Sequence, residues 1–269
     1  VLLYIYRMFF NVKLIYNSHG VVQYENTKIK SIGGFLRFKD NFCEKLCLKY
    51  SDLIIFPSET TRNKAMEYYA IDRSKTTILP NFAGREFKAE SHISLSNGTL
   101  KAVIQYKNEF NKSGLDLLLR SVKDMKCNAQ IYIISHTEMK LPVNDSLTFF
   151  TVPLLSPVKL AEFYMDKDVF LSLNSYDTFS IAAAEAMASG LIPIVTKETG
   201  ISSFINHGIN GYKFDYAKDT ELSGIMDILS SMSRDQIFKL SKAAAATAAE
   251  FNIDKIYSSY KKIYGEPVK

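Results

Sequence analysis

Short apolar runs recur along the chain with amphipathic stretches between them. Residues 12–17 (VKLIYN), 52–58 (DLIIFPS) and 76–81 (TTILPN) read as three short strands, with Pro57 and Pro80 near the ends of the last two. Residues 59–70 carry helical spacing behind Ser58, an N-cap type of residue. Residues 84–99 are polar and lack apolar periodicity, which predicts a linker. The pattern then restarts. Strands are expected at 100–106, 129–135, 147–152, 168–174 and 191–197. Helices are expected at 114–126, with Leu115, Leu118 and Leu119 inward, and at 157–166, 179–189, 219–232, 234–250 and 253–264. Uninterrupted apolar strands that alternate with helices argue for parallel sheets covered on both faces. The fold class is therefore α/β.

The two halves are unequal. Three strands precede the polar stretch, whereas a doubly wound nucleotide-binding domain needs five or six. The expectation is a first domain without its front. The opening VLLYIYRMFF, interrupted by Arg7, reads as a buried helix cut at its front rather than a signal peptide. With 269 residues, 47% of them hydrophobic, the chain is long enough for two modest domains. No apolar run reaches the ~20 residues a membrane span requires.

Charge and cysteine content narrow the setting. A net charge of +5 is mild and does not call for nucleic acid. Much of the excess lies in 28–50, where Lys and Arg interleave with Phe, Leu and Ile. That segment reads either as a solvated helix face or as a contact with an anionic membrane surface. Cys43, Cys47 and Cys127 form no metal spacing, and the first two read as packing on one helix. Without a disulfide framework a cytoplasmic setting is expected.

Candidate chemistry concentrates in residues 174–214. A strand end leads to Asp177, and a helix carries Glu185 eight residues further on. Two carboxylates would then flank a helix N-terminus, where the N–H groups of Ser180, Ile181 and Ala182 would face an anion. Such a volume suits a ligand with an anionic middle and hydroxyl-bearing ends, for example a nucleotide-diphosphate sugar. Glu185 would accept hydrogen bonds from a ribose, and Asp177 from sugar hydroxyls. The other reading is the capped start of a buried helix with a satisfied glutamate, and the run Ala182, Ala183, Ala184, Ala186 and Ala188 suits both.

The stretch resembles the signature of retaining glycosyltransferases of family 4, the glycosyl transferases group 1. Their pattern E-x-F-G-x-x-x-x-E-A-M-A-x-G-x-P-V-V is matched in register by Asp177, Phe179, Ser180, Glu185, Ala186, Met187, Ala188, Gly190 and Pro193, and Gly211 falls in the following glycine motif. Further segments are similar in order and spacing: Asn17-Ser18-His19-Gly20, the run 50–58, Ile78-Leu79-Pro80-Asn81, the run 168–175, and the closing Phe251, Ile256, Tyr260 and Tyr264. Lys107 and Lys112 fall where the family carries its Arg and Lys, with Ser113 as one extra residue before Gly114.

The resemblance implies the GT-B architecture, two Rossmann-like domains facing a cleft. Residues 1–85 would be a partial, acceptor-side domain and 86–99 a linker. Residues 100–252 would bind the nucleotide sugar, and 253–269 would form a closing helix able to pack on the first domain. It implies transfer of a sugar from a UDP- or GDP-sugar to a glycan or lipid-linked acceptor with retention of configuration. His19, Lys107, Lys112 and Asp177 would be catalytic, and Gly20, Phe179, Ser180, Ile181 and Glu185 would bind the donor. No cofactor and no metal are expected, and cell-surface polysaccharide or glycan assembly would be the setting. The sequence departs from the pattern with Asp177 for Glu, Ser180 for Gly, Tyr106-Lys107 for Gly-Arg, and Ser135-His136-Thr137 for a glycine-rich turn. A nucleotide-sugar-binding module without turnover and a sugar-nucleotide epimerase of the same architecture stand as alternatives.

Overall fold

The computed structural model describes residues 9–10, 12–28, 34–88, 99–106, 114–137 and 146–265. The chain divides into two compact units: one holds residues 1–81 with 256–269, the other residues 82–255.

The first unit is built on a parallel sheet of β1 (Ile15–Asn17), β2 (Leu53–Phe56) and β3 (Thr76–Ile78), in that order. Side chains of a strand alternate between faces. On β2, Ile54 and Phe56 accordingly pack with Val21, Leu48, Ala65 and Tyr69, while Ile55 packs with Leu79 and Ile256. Ser58 caps the helix Glu59–Tyr68, its Oγ accepting from the N–H of Thr61 at 3.1 Å. The helix Gly34–Tyr50 buries only Glu44 and Leu48. Cys43 and Cys47, expected to pack, are exposed on it. Of the apolar opening, residues 1–8 lie outside the described residues, and Phe9 and Phe10 are exposed.

The second unit holds six parallel strands in the order β6-β5-β4-β7-β8-β9. They are β4 (Leu100–Tyr106), β5 (Ala129–Ser135), β6 (Leu147–Val152), β7 (Val169–Ser172), β8 (Ile192–Thr196) and β9 (Tyr212–Phe214). One face sends Ala102, Ile104, Val169, Leu171, Ile192 and Ile194 into one core; the other sends Val103, Phe170 and Val195 into a second. Burial on both faces is the reason β4, β5, β7 and β8 read as continuous apolar runs; the edge strand β6 buries only Leu147, and the three-residue β9 gave no run of its own. After β6 the chain returns to the far side of β4, so the strand order reverses between β4 and β7. That reversal is the feature that places a ligand site in an open α/β sheet.

Three sequence readings change. The stretch 84–99 is not wholly a polar linker. Phe87 is buried in the second unit's core, its ring 6.1 Å from that of Tyr164, and a single buried aromatic leaves no periodic trace. Residues 89–98 lie outside the described residues. The helix expected over 114–126 runs Leu115–Ser121 and continues as a 3-10 turn, Val122–Asp124. Its inward residues are Leu117, Leu118 and Ser121, with Leu115 and Leu119 half-buried.

Candidate functional site

β7 delivers the chain into a loop at its carboxyl end, beside the strand reversal. Asn174 opens the loop, its carbonyl held by the Thr196 hydroxyl at 2.6 Å and its Nδ2 donating to Asp177 Oδ2 at 3.3 Å. Asp177 Oδ1 accepts from the N–H groups of Phe179 (3.1 Å) and Ser180 (3.0 Å). The Asp177 carbonyl accepts from Gly200 N–H at 2.7 Å, which ties the loop to the turn after β8. Asp177 is thus an N-terminal clamp that folds its own loop. A carboxylate two residues before such a turn reaches the next N–H groups naturally.

Phe179 anchors the loop. It is buried, and its ring meets Phe251 at 5.2 Å and Phe204 at 5.9 Å, both edge to face. Ser180 follows with φ 74°, the only non-glycine residue among the described ones in the left-handed region. That conformation explains why the resembled pattern has glycine there. Here the Ser180 hydroxyl is 3.0 Å from that of Ser172, the last residue of β7, and both are buried.

The helix Ile181–Ala188 starts at this point. Its alanines at 183, 184 and 186 are buried in the core. Ile181 is exposed at its tip and Glu185 is half-buried one turn on. Burial, with the charge of Glu185 adding to it, holds the phenol of the fully buried Tyr164 above the usual range; Gln105 Nε2 donates to that hydroxyl at 3.0 Å. One expectation needs correction. Of the three N–H groups thought open to an anion, that of Ser180 is taken by Asp177. Those of Ile181 and Ala182 head the helix, where no intrahelical acceptor exists.

Lys107 and Lys112 lie outside the described residues. The described chain ends at Tyr106, the last residue of β4, and resumes at Gly114. Gly114 has φ 68°, and a Cβ on it would stand 2.0 Å from the carbonyl oxygen of Leu173. Gly114 therefore packs against the exit of β7, four residues before Asp177. Sequence spacing gave no sign of this contact, because it joins residues from two different strand exits.

His19 and Gly20 belong to the other unit, at the carboxyl end of β1. His19 is exposed. Ser18 Oγ donates to the Gly20 carbonyl at 2.7 Å, and the Ser18 N–H donates to the Ile55 carbonyl at 2.9 Å. A Cβ on Gly20 would lie 2.2 Å from Glu25 Oε1, the end of a flexible side chain that can move aside, so the contact marks a carboxylate beside the turn rather than a need for glycine. Burial raises the pKa of Glu25. Nearby, Glu44 Oε2 accepts from Val22 N–H at 2.8 Å and Tyr69 OH at 2.5 Å. Among the described residues no group of three or more His, Cys, Asp or Glu could hold a metal ion. No helix among them is long and apolar enough to cross a membrane.

The clamped loop and the helix tip lie at the strand reversal, where an open α/β sheet places its ligand site. Comparison with known proteins supplies the family: residues 86–247 match the glycosyl transferases group 1, and the chain belongs to that family. Over 108 residues it is 30% identical to the N-acetyl-alpha-D-glucosaminyl L-malate synthase of Bacillus anthracis, a match spanning 39% of this chain and 28% of that relative. Among solved structures it resembles the sucrose-phosphate synthase of Thermosynechococcus elongatus, with TM-score 0.75 and 17% identity over 97% of this chain and 69% of the other. It also resembles Anabaena HepE, solved with UDP and glucose, with TM-score 0.71 and 13% identity over 97% of this chain and 74% of the other. The fold is that of GT-B glycosyltransferases.

Proposed function

We propose that the chain is the donor-binding part of a retaining glycosyltransferase of family 4 that takes a UDP-sugar. The observation that carries this reading is the position of the Asp177–Glu185 segment, which leaves the carboxyl end of β7 at the reversal between β4 and β7. The N–H groups of Ile181 and Ala182, with the helix dipole behind them, meet the diphosphate. Glu185, one turn in, accepts from the ribose hydroxyls. Lys107 and Lys112 neutralise the departing diphosphate. His19 and Gly20 are further candidates for donor binding.

The chemistry follows from where charge develops. The bond from the anomeric carbon to the phosphate oxygen breaks first, leaving positive charge on the sugar and negative charge on the phosphate. The acceptor hydroxyl attacks from the same face, and its proton passes to the leaving phosphate. Retention results, with the protein supplying position and cationic stabilisation. That HepE was solved with UDP and glucose, and also with UDP-glucose, supports the choice of base. The acceptor is a glycan or lipid-linked hydroxyl of surface polysaccharide assembly.

The test is a calorimetric titration of UDP into the wild-type chain and two variants. Glu185→Ala is expected to weaken UDP binding by at least tenfold, because charge-assisted hydrogen bonds are worth about 1.5–3 kcal/mol each. Asp177→Asn is expected to leave it within a few-fold, since an amide oxygen can still accept from Phe179 and Ser180. Equal losses, or no UDP binding by the wild type, would overturn the assignment.

A further inference from the structure

The helix Gly34–Tyr50 is amphipathic in an unusual sense. Its buried residues are Glu44 and Leu48, while Phe35 is 79%, Phe38 68% and Phe42 49% exposed. At about 100° per residue, Lys45, Phe38, Lys49, Phe42, Phe35, Leu46 and Lys39 fall within an arc of ~120°. That arc holds apolar and lysine side chains and no acid. The acids of the helix, Asp40 and Glu44, lie roughly half a turn away from Phe35. Phe38 and Phe42 stack on one another at 6.2 Å with an interplanar angle of 12°. They line a groove of about 610 Å³ together with Lys45, Lys49, Tyr68 and Tyr69. The first unit therefore turns a phenylalanine stripe edged with cations to the outside, and keeps a carboxylate inside.

We infer that this stripe docks on the surface of an anionic lipid bilayer, with Phe35, Phe38 and Phe42 inserted at the headgroup boundary and Lys39, Lys45 and Lys49 on the lipid phosphates. Charge complementarity selects this occupant. An apolar face flanked by Lys39, Lys45 and Lys49, with Asp40 4.0 Å from Lys39 as the acid at its edge, suits a negative surface with an apolar interior. A second copy of the chain does not fit, because a two-fold contact through this face sets lysines against lysines. The inference stands apart from the donor site, since it uses none of that site's residues.

Co-sedimentation with vesicles tests it. The wild-type chain is expected to pellet with vesicles of equal parts phosphatidylcholine and phosphatidylglycerol, not with phosphatidylcholine alone, and to be released by high salt. Phe35→Ser, Phe38→Ser and Phe42→Ser together are expected to reduce pelleting to background. Lys45→Gln and Lys49→Gln are each expected to weaken it about fivefold. The chain has no tryptophan. Phe38→Trp therefore provides a single reporter whose emission shifts to the blue when it enters lipid. The inference is overturned if wild type binds both vesicles equally or neither, or if the serine variant pellets as wild type does. It also fails if the reporter is silent while the protein pellets, or if the lipid-free chain is a dimer that the serine changes dissociate. UDP titration of the serine variant keeps the two readings distinguishable, because loss of lipid binding is expected to leave UDP affinity unchanged.

Discussion

The two ends of β7 each carry an aspartate, and they could hardly differ more. At the amino end, Asp168 is buried; its Oδ2 accepts from Lys101 N–H at 2.8 Å and its Oδ1 has no hydrogen-bond partner. Burial pushes its pKa up to about 6. Beside it, Lys167 is buried against the rings of Phe163 (4.1 Å) and Tyr132 (4.4 Å) and pairs with Asp166, which also accepts from Lys101 Nζ at 3.1 Å. Burial lowers the pKa of Lys167. At the carboxyl end, Asp177 is half-buried and spends its carboxylate on loop N–H groups and Asn174. The displaced titrations at the amino end belong to packing: Asp168 and Lys167 are buried at the sheet's amino edge, with the exposed Asp166 pairing Lys167 from outside, away from the strand reversal's ligand side. A shifted pKa marks a functional group only when it also sits where a ligand can reach.

The largest expected effect tests how the carboxyl end is held together. Gly114→Ala places a methyl group against the Leu173 carbonyl and forces a side chain onto φ 68°. Backbone strain of about 1–3 kcal/mol and an overpacking cost of similar size add. Urea unfolding should show a loss of at least ~3 kcal/mol, and UDP affinity should fall as the exit of β7 shifts. A variant as stable as wild type would mean that Gly114 does not pack against the exit of β7.

The second effect probes the amino end. An aspartate raised to about 6 in the folded chain has an ordinary value near ~3.9 once unfolded. The folded state then holds the proton more tightly. Its contribution to stability is complete below about pH 4 and is lost as pH rises through about 6. Two pKa units correspond to about 2–3 kcal/mol. Between pH 4 and 7 the unfolding free energy of wild type should fall by about that amount more than that of Asp168→Asn, the other buried acids contributing equally to both curves. Parallel curves for the two proteins would show that Asp168 ionises without cost.

This contrast also shows what the sequence could carry. Strands β4 and β5 lie at 100–106 and 129–135, where the apolar runs place them, because a strand covered on both faces declares itself in composition alone; the edge strand β6, at 147–152, buries only Leu147 and was legible from its aromatic and β-branched residues. In the first unit the runs overreach. β1 spans three residues of a six-residue run, since Leu14 turns to meet Asp52: its N–H donates to Asp52 Oδ2 at 2.8 Å. The helix expected from 179 begins at Ile181, because Asp177 captures the N–H groups of Phe179 and Ser180 first. The local grouping of Asp177, Phe179, Ser180, Ile181 and Glu185 was legible, since those residues are neighbours in sequence and their turn chemistry is local. The approaches of Gly114 to Leu173 and of Glu25 to Gly20 were not, because each depends on where separate segments pack.

The smallest effect bears on Ser180 and separates conformation from hydrogen bonding at the helix tip. A non-glycine residue in the left-handed region costs about 1–2 kcal/mol, and the contact with Ser172 returns about 1 kcal/mol. Ser180→Gly removes both and should lie within about 1 kcal/mol of wild type. Ser180→Ala keeps the strain and leaves the buried Ser172 hydroxyl without its partner, so it should be less stable by about 1–2 kcal/mol. The glycine variant should also bind UDP at least as tightly as wild type, because it opens the backbone beside the Ile181 and Ala182 N–H groups. Urea midpoints for both variants decide the matter. If alanine proves as stable as glycine at this position, the left-handed turn does not shape the tip, and the carboxyl end of β7 is held by the Asp177 clamp alone.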